Sequence, residues 1–133
     1  MIPRRTRFLA YLLAFAAIVS SLSFAPRADA AYEYSAIVTS DAALDYASSA
    51  YFYENRVFTY FYDAYAYAYY GNLYASYGYW YGIDAYFYYA YAYHYYATAY
   101  ADIAYYYNGG YFAYYSLVYN DYATDYCFLA YYY

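Results

Sequence analysis

The chain contains no lysine, and beyond the first thirty residues Arg56 is the only arginine against nine aspartates and glutamates. Proteins that bind nucleic acid use cations to neutralise phosphates, so this balance predicts no nucleic-acid partner. Attraction to an anionic membrane surface requires the same cations. The scarcity of positive charge therefore leaves apolar, aromatic and neutral surfaces as the partners to consider.

Histidine is equally scarce: His94 is the only one, and it lies in the aromatic run AYHYYA with no acid or cysteine close in sequence. Such a residue is typical of a packed side chain rather than a general base. A serine–histidine–acid triad meets only in space, so spacing neither signals nor excludes one. No glycine-rich phosphate loop, CxxC pair or HExxH motif occurs. We expect no catalytic residue, no cofactor-binding residue and no enzyme activity.

Acidic pairs four residues apart occur at Asp41/Asp45 and Asp121/Asp125. A calcium loop needs more oxygen ligands than such a pair supplies, so we interpret them as solvated helix ends and expect no metal site. Cys127 is the only cysteine and excludes an internal disulfide. In an exported chain it is either a buried small apolar side chain or a link between molecules.

Residues 1–30 have the order of a secretory signal peptide. Arg4, Arg5 and Arg7 precede the apolar run FLAYLLAFAAIV, and a small-residue exit, Ala-Asp-Ala, ends at Ala30. The run is shorter than the roughly 20 residues of a membrane span. We therefore predict export and cleavage, no stable membrane span afterwards, and a protein located in the periplasm, outside the cell or at its surface.

Tyrosine is the abundant residue, 36 of 133. Each ring is apolar but carries a hydroxyl that needs a partner. A mature chain of 103 residues, one small domain, cannot seal so many rings inside a monomer. A contiguous aromatic surface usually marks an interaction site, so composition predicts self-association or adhesion.

The tyrosines recur with a period of seven. One column runs from Tyr46 to Tyr95, and a second column starting at Ala36 is almost entirely alanine or glycine. In a strand an odd period moves each column to the opposite face every cycle, whereas on a helix seven residues are close to two turns. The pattern predicts a helix with a groove of small residues between tyrosine ridges. The predicted assembly residues are Ala64, Ala68, Gly71, Ala75, Gly78, Gly82, Ala85, Tyr60, Tyr67, Tyr74, Tyr81, Tyr88 and Tyr95.

The fold class expected is therefore mainly α. After a lead-in over 31–40, a long or broken heptad helix is predicted over 41–107, with Ser40 or Asp41 as its N-cap and weak points at Gly71-Asn72 and 78–82. Asn-Gly-Gly at 108–110 predicts a turn, followed by a shorter helix in the aromatic segment to 133.

Two structural alternatives stay open. Alternating Tyr and Ala suits antiparallel β-hairpins, and a largely disordered chain that orders on assembly is the third interpretation. For function, the leading hypothesis is an exported structural protein that assembles with copies of itself into a filament, coat or matrix, with tyrosine cross-linking as an added step. The alternative is an aromatic binding module for cell-wall glycan or an apolar partner.

Overall fold

A computed structural model describes residues 28–133, and the side chains from Tyr32 onward. The helices are α1 (Ala28–Ser49), α2 (Thr59–Tyr81), α3 (Ala85–Asn108) and α4 (Tyr111–Tyr132), and a π-helical turn (Ala50–Glu54) prolongs α1. The prediction of a mainly α fold is confirmed. The antiparallel β alternative is wrong, because the described part of the chain contains no strand.

The four helices form an up-and-down bundle. Each packs along the next one in sequence, and α4 returns to pack along α1, while the diagonal pair α2 and α4 barely touch. The connections at 55–58, 82–84 and 109–110 are short, which forces consecutive helices to run antiparallel. None of the helices within 28–133 combines the length and the apolar character that a membrane crossing would require.

The first helix begins earlier than predicted. Residues 31–40 are helical rather than a lead-in, and Ser40 is buried in the middle of α1, so its assignment as an N-cap is wrong. The reason is that the buried face of α1 extends back through Ala36 to Tyr32. The predicted signal peptide lies outside the described residues except for 28–30, which form the first turn of α1.

The long helix predicted over 41–107 is divided between three helices. It is broken at the π-helical turn and at Gly82, where φ is 65° and the left-handed conformation ends α2. Helix α2 is not interrupted at Gly71-Asn72, where a weak point was predicted. Between α3 and α4 the predicted turn occurs, with positive φ at Gly109 and Gly110.

Glu54, the last residue of the π-helical turn, caps the N-terminus of α4. Its Oε1 accepts hydrogen bonds from the backbone N–H groups of Phe112 and Ala113. A carboxylate is favoured there by the helix dipole and by the unpaired N–H groups of the first turn. A Cβ on Gly110 would overlap this carboxylate, so glycine is needed for space as well as for its φ of 116°.

The core of the bundle is built mostly from small side chains. On α2 the buried residues are spaced alternately three and four apart: Phe61, Ala64, Ala68, Gly71, Ala75 and Gly78. On α3 the buried residues are Phe87, Ala90, His94, Ala97, Thr98, Ala101 and Ala104. Small residues let the helix backbones approach closely, and the rings of Phe87 and His94 on α3 fit because the facing residues of α2 are glycine.

The two helical glycines show this fit directly. A Cβ built on Gly71 would lie 2.6 Å from Cδ2 of His94, and one built on Gly78 would lie 2.8 Å from Cε2 of Phe87. These distances are shorter than any ordinary van der Waals contact. Glycine in α2 therefore makes room for a ring of α3.

We expect Gly71→Ala to lower the free energy of unfolding by about 1–3 kcal/mol through overpacking against His94. The sign is informative, because alanine by itself stabilises a helix by about 1 kcal/mol relative to glycine. Urea denaturation followed by circular dichroism measures the change. A Gly71→Ala chain as stable as the original would show that the ring is not held against this backbone.

Candidate functional site

The predicted small-residue groove is divided by the turn at 82–84. Ala64, Ala68, Gly71, Ala75 and Gly78 are buried against other helices of the same chain. Gly82 and Ala85 are exposed. The groove is therefore filled within the molecule, which corrects the expectation that it stays open for a second copy.

The tyrosine column also changes its surroundings at this turn. Tyr60, Tyr67 and Tyr74 are half-buried along the seam between α2 and α3, whereas Tyr88 and Tyr95, which continue the same column on α3, are exposed. On α3 the seam is occupied by Tyr86, Tyr93 and Tyr100 instead. The turn changes which face of the next helix points toward the core. Residues of the same column are therefore half-buried on α2 and exposed on α3.

Along this seam the rings of both helices interleave. We call the set the tyrosine ladder: Tyr60, Tyr67, Tyr74, Tyr77 and Tyr81 of α2 with Tyr86, Tyr93 and Tyr100 of α3. The ring planes of Tyr67 and Tyr100 are 2° apart at a centroid distance of 5.4 Å, and those of Tyr74 and Tyr93 are 2° apart at 5.6 Å. Offset stacking at these distances stabilises by roughly 0.5–1.5 kcal/mol per pair.

The ladder continues without a gap between these two stacked pairs. Tyr93 lies 6.2 Å from Tyr67, and Tyr100 lies 6.1 Å from Tyr60. At the other end Tyr77 contacts Tyr74 at 6.2 Å and Tyr81 at 5.9 Å. Its two ends differ: Tyr81 is 69% exposed, whereas Tyr60 is covered edge-on by Phe58 at 5.1 Å.

Beyond the ladder, many tyrosines lie on the outer surface of the bundle. Rings that are about half exposed or more, and that lie outside the ladder, include Tyr34, Tyr53, Tyr62, Tyr69, Tyr88, Tyr89, Tyr95, Tyr96, Tyr106, Tyr107, Tyr111, Tyr122 and Tyr132. They occur on all four helices, with another in the π-helical turn. The bundle therefore presents aromatic rings to solvent on every side.

A second candidate is polar and lies in the middle of the core. Ser40 of α1, His94 of α3 and Asn120 of α4 are fully buried. Ser40 Oγ lies 2.7 Å from His94 Nε2, and His94 Nδ1 lies 2.8 Å from Asn120 Oδ1. Ser40 and His94 are 54 residues apart in sequence, and His94 and Asn120 are 26 apart, so sequence spacing does not reveal this layer. The sequence shows only that each is a polar residue among mostly small residues of a buried helix face.

The direction of each hydrogen bond in this polar layer follows from its outer partners. Asn120 Nδ2 donates to the Ser116 carbonyl at 2.8 Å, so its Oδ1 faces the ring and must accept from His94 Nδ1–H. In the neutral ring, His94 Nε2 is then the acceptor of a hydrogen bond that the Ser40 hydroxyl donates. Asn72 completes the layer by donating to Ser40 Oγ at 3.2 Å and to Asp41 Oδ1 at 2.6 Å.

Desolvation lowers the pKa of His94 from 6.5 to about 4, partly offset by the hydrogen bond to Asn120. The ring is therefore neutral at pH 7, and Nε2 is able to accept the hydrogen bond from Ser40. Hydroxyl, imidazole and amide stand in the order that activates a serine nucleophile. All three side chains, however, have no exposed surface, so the closed bundle gives a substrate no contact with Ser40.

Cys127 is also fully buried, in the cluster that includes Phe87, Ala90 and Ala130. Burial raises the pKa of its thiol well above the ordinary value, with a further contribution from Asp125. A protonated, inaccessible thiol does not form an intermolecular disulfide while α4 is packed. The predicted link through Cys127 therefore requires the bundle to open.

No three histidine, cysteine or acidic side chains converge as metal ligands within the described part of the chain. An open depression of about 550 Å³ lies at one end of the bundle, lined by Asn55, Val57, Phe58, Tyr60, Tyr107 and Asn108.

Comparison of the chain with protein-family models, with curated proteins and with solved structures gives no match.

Proposed function

We propose that this is an exported, tyrosine-rich structural protein that associates with copies of itself into a filament, coat or matrix outside the cell or at its surface. The observation that carries the proposal is the number of tyrosine rings left on the outside of a closed bundle. Several of these exposed rings contact one another, such as Tyr88 with Tyr89 and Tyr95 with Tyr96. Exposed aromatic patches usually mark an interaction site. The neighbouring copy is the partner of matching chemistry, since it offers the same rings.

The association surface differs from the groove suggested by the repeat. The buried residues of α2 are mostly small, and the face that carries them packs against other helices of the same chain. The outer tyrosines, among them Tyr88 and Tyr95, are the residues available to a second molecule. Phenolic hydroxyls allow ring stacking and hydrogen bonding together, which suits a wet interface.

A concentration series tests this proposal. The mature chain, residues 31–133, is expected to grow in mass with concentration in multi-angle light scattering. Replacing Tyr88, Tyr95 and Tyr106 by glutamine removes three rings of the outer face of α3 and should weaken association. The matched variant with phenylalanine at the same positions keeps the rings and should still associate. A chain that stays monomeric at every concentration would refute the proposal.

A second candidate function is binding to cell-wall glycan through a patch at the end of α2. Trp80 is 75% exposed and contacts Tyr79 edge-on at 5.0 Å, and Tyr79 lies 6.5 Å from Tyr34. An exposed indole beside other rings is suited to stacking on a sugar face. Quenching of Trp80 fluorescence by polysaccharide, without a change in oligomeric state, would favour this function over self-association.

A further inference from the structure

We propose that the tyrosine ladder is a redox relay, which carries the site of a one-electron oxidation along the bundle from Tyr81 to Tyr60. The observation is the unbroken contact of its rings. The shortest route visits Tyr81, Tyr77, Tyr74, Tyr93, Tyr67, Tyr100 and Tyr60, with centroid distances of 5.4–6.2 Å at every step. Between Tyr81 and Tyr60 the route covers about 30 Å of helix.

The chemistry of each step balances. A one-electron oxidant, such as a high-valent haem or a Ru(III) complex, takes one electron from Tyr81, and the phenol releases its proton to water. Tyr81 is suited to this entry step because 69% of its surface is exposed. The neighbouring phenol then gives an electron to the tyrosyl radical and its own proton to water, and the first ring regains its proton. The radical moves by one ring, and nothing else is consumed.

The far end of the relay is defined by Phe58. Its ring lies between Tyr60 at 5.1 Å and Tyr107 at 6.4 Å, and phenylalanine has no hydroxyl to oxidise. Tyr107 is 72% exposed but is separated from the ladder by this ring. Tyr70, Tyr89 and Tyr96 also contact ladder rings, so part of the radical is expected to leave the route there. The part that passes Tyr67 to Tyr100 is expected to stop at Tyr60 and Tyr100, because neither ring contacts a further tyrosine of the described residues.

Tyr67 is the point at which the relay can be cut. Among the ring contacts of the described residues, Tyr60 and Tyr100 reach the rest of the ladder only through Tyr67. Tyr67→Phe keeps the ring and its packing but removes the oxidisable hydroxyl. Tyr96→Phe is the matched control, because Tyr96 contacts Tyr67 at 5.5 Å and lies off the route.

The experiment places the oxidant at one end and reads the radical at the other. Ile83 is exposed beside Tyr81, so Ile83→Cys accepts a thiol-reactive ruthenium polypyridyl complex, while buried Cys127 does not compete. Light and a cobalt(III) electron acceptor generate Ru(III). A nitroso spin trap adds to the radical ring carbon, forming one C–N bond. Fragments cut at aspartate are then mapped by tandem mass spectrometry, in dilute protein where light scattering detects only monomer.

The labelled chain is expected to carry trap adducts on Tyr60 and Tyr100. Tyr67→Phe should abolish both while adducts near Tyr81 remain, and Tyr96→Phe should leave them in place. Phe58→Tyr should carry the radical on to Tyr107. Adducts on Tyr60 and Tyr100 that survive Tyr67→Phe, or oxidation at Tyr81 that never reaches them, would overturn the relay. Because the test uses monomer, its result is independent of whether the chain self-associates.

Discussion

Asn120→Leu is expected to lower the free energy of unfolding by about 2–3 kcal/mol, because it leaves a buried ring nitrogen of His94 without a partner. In the original chain Nδ1–H donates to Asn120 Oδ1 and Nε2 accepts from Ser40. Leucine offers no acceptor, and reversing the tautomer only moves the problem from an unpaired donor to an unpaired acceptor. Leucine is similar in size to asparagine, so loss of volume contributes little. Urea denaturation at one fixed, dilute protein concentration measures the effect without a contribution from association.

The control is the double variant His94→Leu/Asn120→Leu. Replacing both partners by apolar side chains removes the orphaned nitrogen, so the double variant should be more stable than the additive sum of the two single changes predicts. A change at an exposed position such as Tyr122→Leu calibrates the cost of an ordinary substitution. If Asn120→Leu costs no more than Tyr122→Leu, the hydrogen-bonded arrangement of the polar layer is refuted.

Acidification from pH 7 to pH 5 is expected to lower the free energy of unfolding by about 2 kcal/mol through His94 alone. Its pKa is 6.5 when unfolded and about 4 in the bundle, so between these values the unfolded chain binds one more proton. Stability therefore falls as the pH drops below about 6.5, and the loss stops growing below about pH 4. The groups that face the ring from α1, α2 and α4 are uncharged; Asp41, the nearest acid in the network, is reached through Asn72.

The sequence makes this measurement simple, because His94 is the only histidine. His94→Gln removes the titrating group and keeps a neutral side chain that can donate and accept hydrogen bonds. Subtracting its pH profile from that of the original chain removes the contribution of the carboxylates. The difference should slope by about 1.2 kcal/mol per pH unit between pH 5 and 6. Equal profiles for the two chains would mean that His94 titrates in the bundle as it does when unfolded.

Local features were readable from the sequence. The mainly α fold was predicted from the spacing of tyrosine and alanine, and the turn at 108–110 was predicted from Asn-Gly-Gly. Both depend on interactions within a few residues. Ser40 was misread for the same reason, since its neighbours Thr39 and Asp41 resemble a helix start and nothing local reveals His94.

The sequence did not predict which helix packs against each helix face. The columns of the repeat keep their spacing through 82–84, but the turn rotates α3 so that Ala92 and Ala99 leave the core and Phe87, His94 and Ala101 enter it. Which helix fills the groove of α2 depends on that rotation. A pattern within one helix cannot distinguish a second molecule from the next helix of the same chain.

The bundle packs small residues inside and aromatic rings outside. Substituting a half-buried tyrosine is therefore expected to lower the free energy of unfolding more than substituting a buried alanine, which reverses the usual order of core and surface positions. A buried alanine of α2 contributes one methyl group, whereas a half-buried tyrosine of the seam contributes a whole ring. Much of the apolar area removed from water on folding therefore belongs to side chains that a neighbouring molecule can also touch. A partner that binds those rings only in the folded bundle raises the free energy of unfolding. Association with other molecules and folding of the bundle therefore stabilise each other.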